Sequence, residues 1–406
     1  MSKLLYQQLY KAYFAARRNK RTKPEQLRFE VNYETEITQL YQDIIQRNYT
    51  PLPSKVFVTR KPVDREIFAP RFRDRVVHHL IYQYIYKHLD QKFIYDSYSC
   101  RVGKGTLFGI ERAKGFLRKA TANYTQDAYV LKLDINGYFM NINRNLLWQK
   151  IEQYLDYSAL NITQTEQDVL HYLIRQVVLH DVSTSARRCS PLSYWARIPA
   201  SKSLFCTAET CGLPIGSLTS QLFSNVYLND IDHKIKAHFK YYGRYVDDLL
   251  LVDRDREKLL DIIPQINTWL AEMQLKLHPK KIYFQHYTKG FYFLGQYIKP
   301  YRAYISKRIK KHIYQFIKEI EAYSTAIKQG QVWLTVADLE RIENRLNSYF
   351  GILCKAHTYR YVHHIVSCVP QQIAQYMSFT FIPSQNQMKA TLHPELKMMY
   401  SQLQIQ

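Results

Sequence analysis

Residues 239–252 read Phe239-Lys-Tyr-Tyr-Gly-Arg-Tyr245-Val246-Asp247-Asp248-Leu249-Leu-Leu-Val252. Apolar runs at 239–245 and 249–252 flank two adjacent carboxylates, which predicts a strand–turn–strand with both acids at its tip. Adjacent carboxylates at a tight turn repel each other unless a cation sits there. A bare Asp-Asp pair often marks nothing more than a solvated turn. Here a second apolar strand, Ala128–Asp134, also ends in an acid, and Asp134 becomes the natural third member of a set. Three carboxylates converging from neighbouring strands suit two Mg2+ ions, or Mn2+ in their place. These cations take oxygen ligands and keep positions open for substrate phosphates. Such a pair activates an attacking hydroxyl and stabilises a departing pyrophosphate.

Composition points the same way. The chain has 406 residues, with 57 Lys+Arg against 34 Asp+Glu, a net charge of +23. That excess predicts a polyanionic partner, most simply nucleic acid. An apolar content of 46% is ordinary for a folded chain and too high for a disordered one. The 35 tyrosines suit stacking on bases as well as ordinary packing. No apolar run reaches about 18 residues, so no membrane partner is expected. The start, Met1-Ser-Lys-Leu-Leu-Tyr6, lacks a signal-peptide core. Six scattered cysteines form no CxxC pair, which argues against a disulfide framework or a zinc site and for a reducing cytoplasm.

Working outward, helices are expected at 3–20, 25–48, 73–89, 144–155, 163–179, 217–238, 255–274, 307–328, 336–355 and 359–377. Extended segments are expected at 56–60, 65–69, 128–134, 281–286 and 291–298, with a hairpin around 300–304. Residues 181–214 lack a clear period and read as a long irregular loop. Arg17-Arg-Asn-Lys-Arg-Thr-Lys23 is a basic linker suited to a nucleic-acid backbone. His78-His79 and His363-His364 are not read as metal sites, because adjacent histidines rarely point at one ion.

The run from about 55 to 370 resembles a reverse transcriptase of the bacterial retroelement type. Asp134-Ile-Asn-Gly-Tyr-Phe139, Gly212-Leu-Pro-Ile-Gly-Ser-Leu-Thr-Ser-Gln221 and Tyr245-Val-Asp-Asp248 resemble its three palm motifs in order and spacing. The resemblance implies an α+β right-hand polymerase with fingers, a palm whose antiparallel sheet carries the catalytic acids, and a helical thumb. The implied division is an N-terminal helical extension at 1–54, fingers at 55–127, palm at 128–305, thumb at 306–380 and a polar tail at 381–406.

Further roles follow from the same resemblance. Asp134, Asp247 and Asp248 hold the metals, with the Ile135 backbone carbonyl as a further ligand. Phe139 matches the aromatic that blocks a 2′-hydroxyl. In Leu275-Lys-Leu-His-Pro-Lys-Lys281 a lysine protonates the leaving pyrophosphate; counting from the leucines favours Lys281 over Lys280. Arg65, Arg71 and Arg75 lie in the fingers stretch that holds the incoming triphosphate, where a guanidinium fork suits phosphate. Gly216 and Gln221 belong to the nucleotide-facing motif. Arg101 and Lys104 sit in a basic turn, Tyr98–Thr106, that lacks P-loop spacing and is assigned to nucleic acid. Phe293-Leu-Gly295 resembles the primer-grip turn. Lys307, Lys310 and Lys311 lie with Arg308 and Lys318 on one face of the first thumb helix, as a backbone tracker requires.

Ile215-Gly-x-x-x-Ser220-Gln221 departs from the commoner form with Gln before the Gly and Pro after the Ser. It resembles the enzymes of diversity-generating retroelements, and a related defence-associated reverse transcriptase is the alternative. The implied partners are a template or noncoding RNA, a DNA or RNA primer with its cDNA product, dNTPs, and an accessory protein or second polymerase subunit. A catalytically silent RNA-binding scaffold is the reading from another class; retention of all three acids speaks against it. About 100 residues follow position 306, with no HNH-type or RNase H pattern, so a longer intron-encoded protein is not expected. A cytoplasmic, bacterial setting is the corresponding expectation.

Overall fold

The computed structural model describes residues 3–18, 23–60, 63–356 and 358–396. Residues 19–22 of the basic linker and residues 397–406 of the tail lie outside them. The chain folds as two compact units, each made of two separate stretches of sequence. The first comprises 1–116 and 129–284, the second 117–128 and 285–406. The architecture is α+β: helices alternate with small, mainly antiparallel sheets.

In the first unit, strands β1 (Lys55–Thr59) and β2 (Arg65–Ala69) form an antiparallel hairpin. Strand β3 (Tyr129–Asp134) follows. A two-residue strand β4 (Arg187–Arg188) adds to β1 in parallel. Strands β5 (Tyr241–Tyr245) and β6 (Asp248–Asp253) form the second hairpin, and β7 is Tyr283–His286. Their sheet runs β5-β6-β3-β7. Its central strands are apolar on both faces: Leu131, Leu133, Leu249 and Leu251 on one and Val130, Leu250 and Val252 on the other are all within 1% of full burial, as strands covered on two sides must be. The helix Phe72–Lys92 runs through the same core, burying Val76, Val77, Leu80, Ile81 and Ile85.

Several expected elements are divided. The helix expected over 25–48 is two, Pro24–Val31 and Tyr33–Ile45, interrupted at Asn32 with ψ 39°. The one expected over 217–238 breaks at Leu228 into Leu218–Tyr227 and Asn229–His238. A helix that the sequence did not announce spans Thr106–Ala120. Ile110, Ala113, Phe116, Leu117 and Ala120 are buried along it at helical spacing, but Gly109 and Gly115 weaken the local propensity.

The 181–214 stretch is largely irregular, yet it is pinned. Buried Glu66 on β2 accepts from Ser203 Oγ at 2.6 Å and from the Leu204 amide at 2.8 Å. Leu204 then packs with Val56, Phe68 and Met140 in a small separate core. Arg144 ties the far end, donating to Asp181 at 3.0 Å and to the Cys211 carbonyl at 2.8 Å.

In the second unit, strands β8 (Phe291–Phe293), β9 (Gln296–Lys299) and β10 (Arg302–Ile305) make an antiparallel sheet. The expected single strand over 291–298 is thus a hairpin. Leu294 and Gly295 turn it with positive φ at both positions, 47° and 86°, the pattern tight hairpins favour. Helices Lys307–Lys328, Val336–Leu353 and Tyr359–Ser367 follow, and Pro370 stops the third well before the expected residue 377. The polar tail expected from 381 begins inside a hairpin of β11 (Met377–Ile382) and β12 (Gln387–Leu392). Met377, Met388, Ala390 and Leu392 alternate inward to join the helical core.

Candidate active site

The antiparallel register of β3 and β6 sets Asp134 directly opposite Asp248. Val246 and Asp247 form the loop between β5 and β6, with Val246 held at φ +57°, a strained value for a β-branched residue. The Ile135 amide donates to the Asp247 carbonyl at 3.1 Å, so the loop is stitched to the end of β3. Three carboxylates thereby meet at one sheet end. Burial, then the charges of Asp248 and Asp134, push the Asp247 carboxyl up to about 6, as crowding of like charges requires.

Two lysines answer that charge. The chain beyond β3 bonds to the 276–278 segment: the Asn136 amide donates to the Lys276 carbonyl, and the His278 amide donates to the Asp134 carbonyl. This brings Lys281 Nζ to 2.9 and 3.0 Å from the two oxygens of Asp134. Lys280 instead turns its backbone to the same segment, its amide donating to His278 Nδ1 at 3.2 Å. Lys132 Nζ lies 3.1 Å from Asp248. Sequence reasoning missed Lys132. Its signal was the period of two, which puts it on the same face of β3 as Asp134.

Among the described residues no group of three His, Cys, Asp or Glu side chains closes to metal-holding geometry; Lys281 and Lys132 engage two of the three acids instead. The donor set nonetheless fits a hard divalent cation. It is all oxygen, it is concentrated at one strand end, and Asp247 carries the raised pKa of a carboxylate short of positive charge. Asp134, Asp247, Asp248 and the Ile135 carbonyl are the atoms available to hold it.

The nucleotide-assigned residues separate into two groups. Arg75, Gly216 and Gln221 line one cavity of about 220 Å3 together with His78 and His79. Arg75 is oriented by Nε donating to the Pro70 carbonyl at 3.2 Å. Gly216, at φ +122°, is backed so closely by β2 that a Cβ would stand 2.6 Å from the Phe68 carbonyl oxygen. Gln221 accepts from the Cys100 thiol at 3.3 Å. Arg65 and Arg71 do not line the cavity: Arg65 is exposed on β2, and Arg71 pairs with Glu25 at 3.0 Å. Phe139 is half-buried in the short helix Tyr138–Asn141, packed against two core clusters.

The two residues of the basic turn have partners within the fold. Arg101 is only 9% exposed; it binds Asp90 at 2.6 Å and the Ile94 and Ser97 carbonyls. Its charge is consumed inside the fold, because a buried guanidinium needs every partner within reach. Lys104 lies 4.5 Å from the centre of the Tyr95 ring, and burial lowers it to about 8. In the second unit Lys307, Lys310 and Lys311 are exposed, opposite the buried Ile313, Phe316 and Ile320 of their helix. Gly295 sits at its hairpin turn, 3.9 Å from Ile309 for an added Cβ.

The model of the reverse transcriptase (RNA-dependent DNA polymerase) family matches residues 64–298, which include all three acids. The chain belongs to the reverse transcriptases. A search of curated proteins found no match. Among solved structures, this reverse transcriptase is similar to a telomerase from Candida albicans in complex with a TWJ fragment of telomeric RNA. That likeness has 12% identity and a TM-score of 0.47, covering 86% of this chain and 66% of that one. It is also similar to an apo telomerase from Candida tropicalis at 11% identity and a TM-score of 0.44, covering 83% and 71% respectively. The chain thus spans slightly less than two thirds of the first of these. No helix among the described residues is long and apolar enough to cross a membrane.

Proposed function

We propose that the chain copies a dedicated template RNA into cDNA, as the reverse transcriptase of a diversity-generating retroelement. The observation that carries the polymerase reading is the register of Asp134 opposite Asp248 with Asp247 in the adjoining loop. Mg2+ bound there supplies activation of the primer 3′-hydroxyl and charge stabilisation of the pyrophosphate. Arg75, Gly216 and Gln221 receive the incoming dNTP, Phe139 excludes a ribose 2′-hydroxyl, and Lys281 donates a proton to the leaving group. Residues 55–127 act as fingers, 128–305 as palm and 306–380 as thumb, where Lys307, Lys310 and Lys311 follow a nucleic-acid backbone and Gly295 shapes the primer-grip turn.

The diversity-generating reading rests on Ile215, Ser220 and Gln221. Gln221 lines the same cavity as Arg75 and Gly216, and the Ile215 carbonyl accepts from the Phe68 amide at 2.8 Å; in the proposed reading this motif lies near the incoming nucleotide. Purified protein with its copurifying RNA, given Mg2+ and dNTPs, should yield cDNA whose sequence reports the programme. Errors concentrated at template adenines support a diversity-generating role. Faithful, repetitive or protein-linked DNA supports defence instead, and absence of DNA from RNA-bound protein supports a scaffold.

A further inference from the structure

Behind the acidic loop lies a fully buried ion pair. Arg244 on β5 and Asp232 on the helix Asn229–His238 are each 1% exposed, 2.6 Å apart at their closest. Burying two charges is costly, and a pair of this kind is often no more stabilising than well-packed apolar residues. Its geometry therefore asks for another explanation.

The guanidinium has five N–H donors in a fixed fork, and each of its three nitrogens has a partner. Nε donates to Asp232 at 2.8 Å. Nη2 donates to Asp232 Oδ2 at 2.6 Å and reaches Ser97 Oγ at 3.5 Å. Nη1 donates to the Val246 carbonyl at 2.9 Å and reaches Asn225 at 3.4 Å. Tyr242 donates to the same Asp232 carboxylate at 2.7 Å. The Val246 carbonyl belongs to the strained residue immediately before Asp247. One face of the fork is thus anchored by a buried carboxylate while another nitrogen grips the loop that aims two of the three acids.

We propose that Arg244, locked by Asp232, is a positioning residue that holds the Val246 peptide in its left-handed conformation and so presents Asp247 and Asp248 to the metals. Asp232 serves as the anchor: its hydrogen bonds to Nε and Nη2 fix the fork in the one rotation that leaves Nη1 on the loop. Lysine can keep the charge and satisfy Asp232, but its point-like ammonium cannot span the carboxylate and the loop together.

The proposal uses the polymerase reading only for its activity readout; hydrogen exchange tests the loop independently. In Arg244→Lys, exchange at the amides of residues 246–248 should accelerate about tenfold or more, as local opening becomes easier. The Mg2+ needed for half-maximal primer extension should rise about 10- to 100-fold, the range for groups that orient metal ligands, with template–primer affinity unchanged. An Arg244→Met/Asp232→Leu double variant, which removes both charges at similar volume, should fold and show the same two effects. Wild-type exchange and Mg2+ requirement in either folded variant would overturn the proposal. Failure of both variants to fold would also overturn it, in favour of a purely structural pair. Faster loop exchange in a protein that makes no DNA even as wild type would keep the clamp and sink the polymerase reading.

Discussion

Lys281 Nζ spans the Asp134 carboxylate, 2.9 Å from one oxygen and 3.0 Å from the other. The lysine assigned to the leaving group thus rests on the acid assigned to the metal, and the two assignments compete for one carboxylate. Lys281→Ala is expected to move two quantities in opposite directions. Half-saturating Mg2+ should fall, because Asp134 loses its resident cation. Single-turnover extension at saturating Mg2+ should slow about 10²- to 10⁴-fold, the usual worth of a general acid. A Mg2+ titration combined with rapid-quench kinetics reads both.

Replacement of the acids themselves is a harder test. Asp134→Asn and Asp247→Asn keep shape and remove charge, and each should lower DNA synthesis by on the order of 10³-fold or more. RNA binding, measured by filter retention, should stay near wild type. Normal synthesis by either variant is incompatible with the metal assignment.

Asp247 also makes a statement about pH. Its ordinary value is 3.8, and burial with the neighbouring acids raises it to about 6. A carboxyl raised on folding stabilises the protonated protein, so that contribution is complete below about pH 4 and is lost as pH climbs through about 6. The stability of the metal-free wild type relative to Asp247→Asn, read from urea melts, should therefore fall as pH rises from about 4 to 6 and level off above. Asp74, which burial also pushes to about 6, acts in the same direction, and buried His78, which burial lowers to about 3, acts against both, so the comparison with the variant isolates Asp247. Mg2+ should rescue stability more at about pH 7 than at about pH 5, since the cation needs the ionised form.

Phe139→Ala should relax sugar selection. The preference for dGTP over GTP, taken as a ratio of kcat/KM values, is expected to fall about 10- to 200-fold, as loss of a steric contact allows. The ratio is insensitive to the fraction of protein folded, which matters because Phe139 also packs against two clusters.

Gly216→Ala meets two obstacles at once. Its Cβ would stand 2.6 Å from the Phe68 carbonyl, and the φ of +122° is unfavourable for any L side chain. A loss of about 1–3 kcal/mol is expected, with weakened dNTP binding. Thermal melts with and without dNTP separate the two effects.

The acids were legible because each is written locally: an apolar strand, then a carboxylate at its end. Their lysine partners were less so. Lys281 came from a resemblance between motifs, while Lys132, set between Leu131 and Leu133, looks in sequence like any polar residue on a strand. The partner of Arg244 sits twelve positions upstream on a different element, and no local period announces such a pair. Arg101 and Lys104 look solvent-facing in sequence, as positive charge in a glycine-rich turn does; only the fold reveals Asp90 and Tyr95 beside them. The terminal hairpin was hidden by its composition, since Ser378, Thr380, Gln387 and Lys389 alternate with the inward residues and dilute the apolar signal.

The second unit takes the stretch 117–128 from the middle of the chain. There Ala122, Asn123 and Tyr124 all hold positive φ, and the Tyr124 ring stands 4.4 Å from that of Tyr301 and 6.3 Å from that of Tyr287. A ribosome delivers Tyr124 more than 150 residues before either companion. The nascent chain carries this segment without those two partners until residues 287 and 301 emerge, and a gene cut at 284 would put them on separate chains. Neither half of such a split protein owns a complete set of parts for the second unit, which closes only when both of its stretches are present.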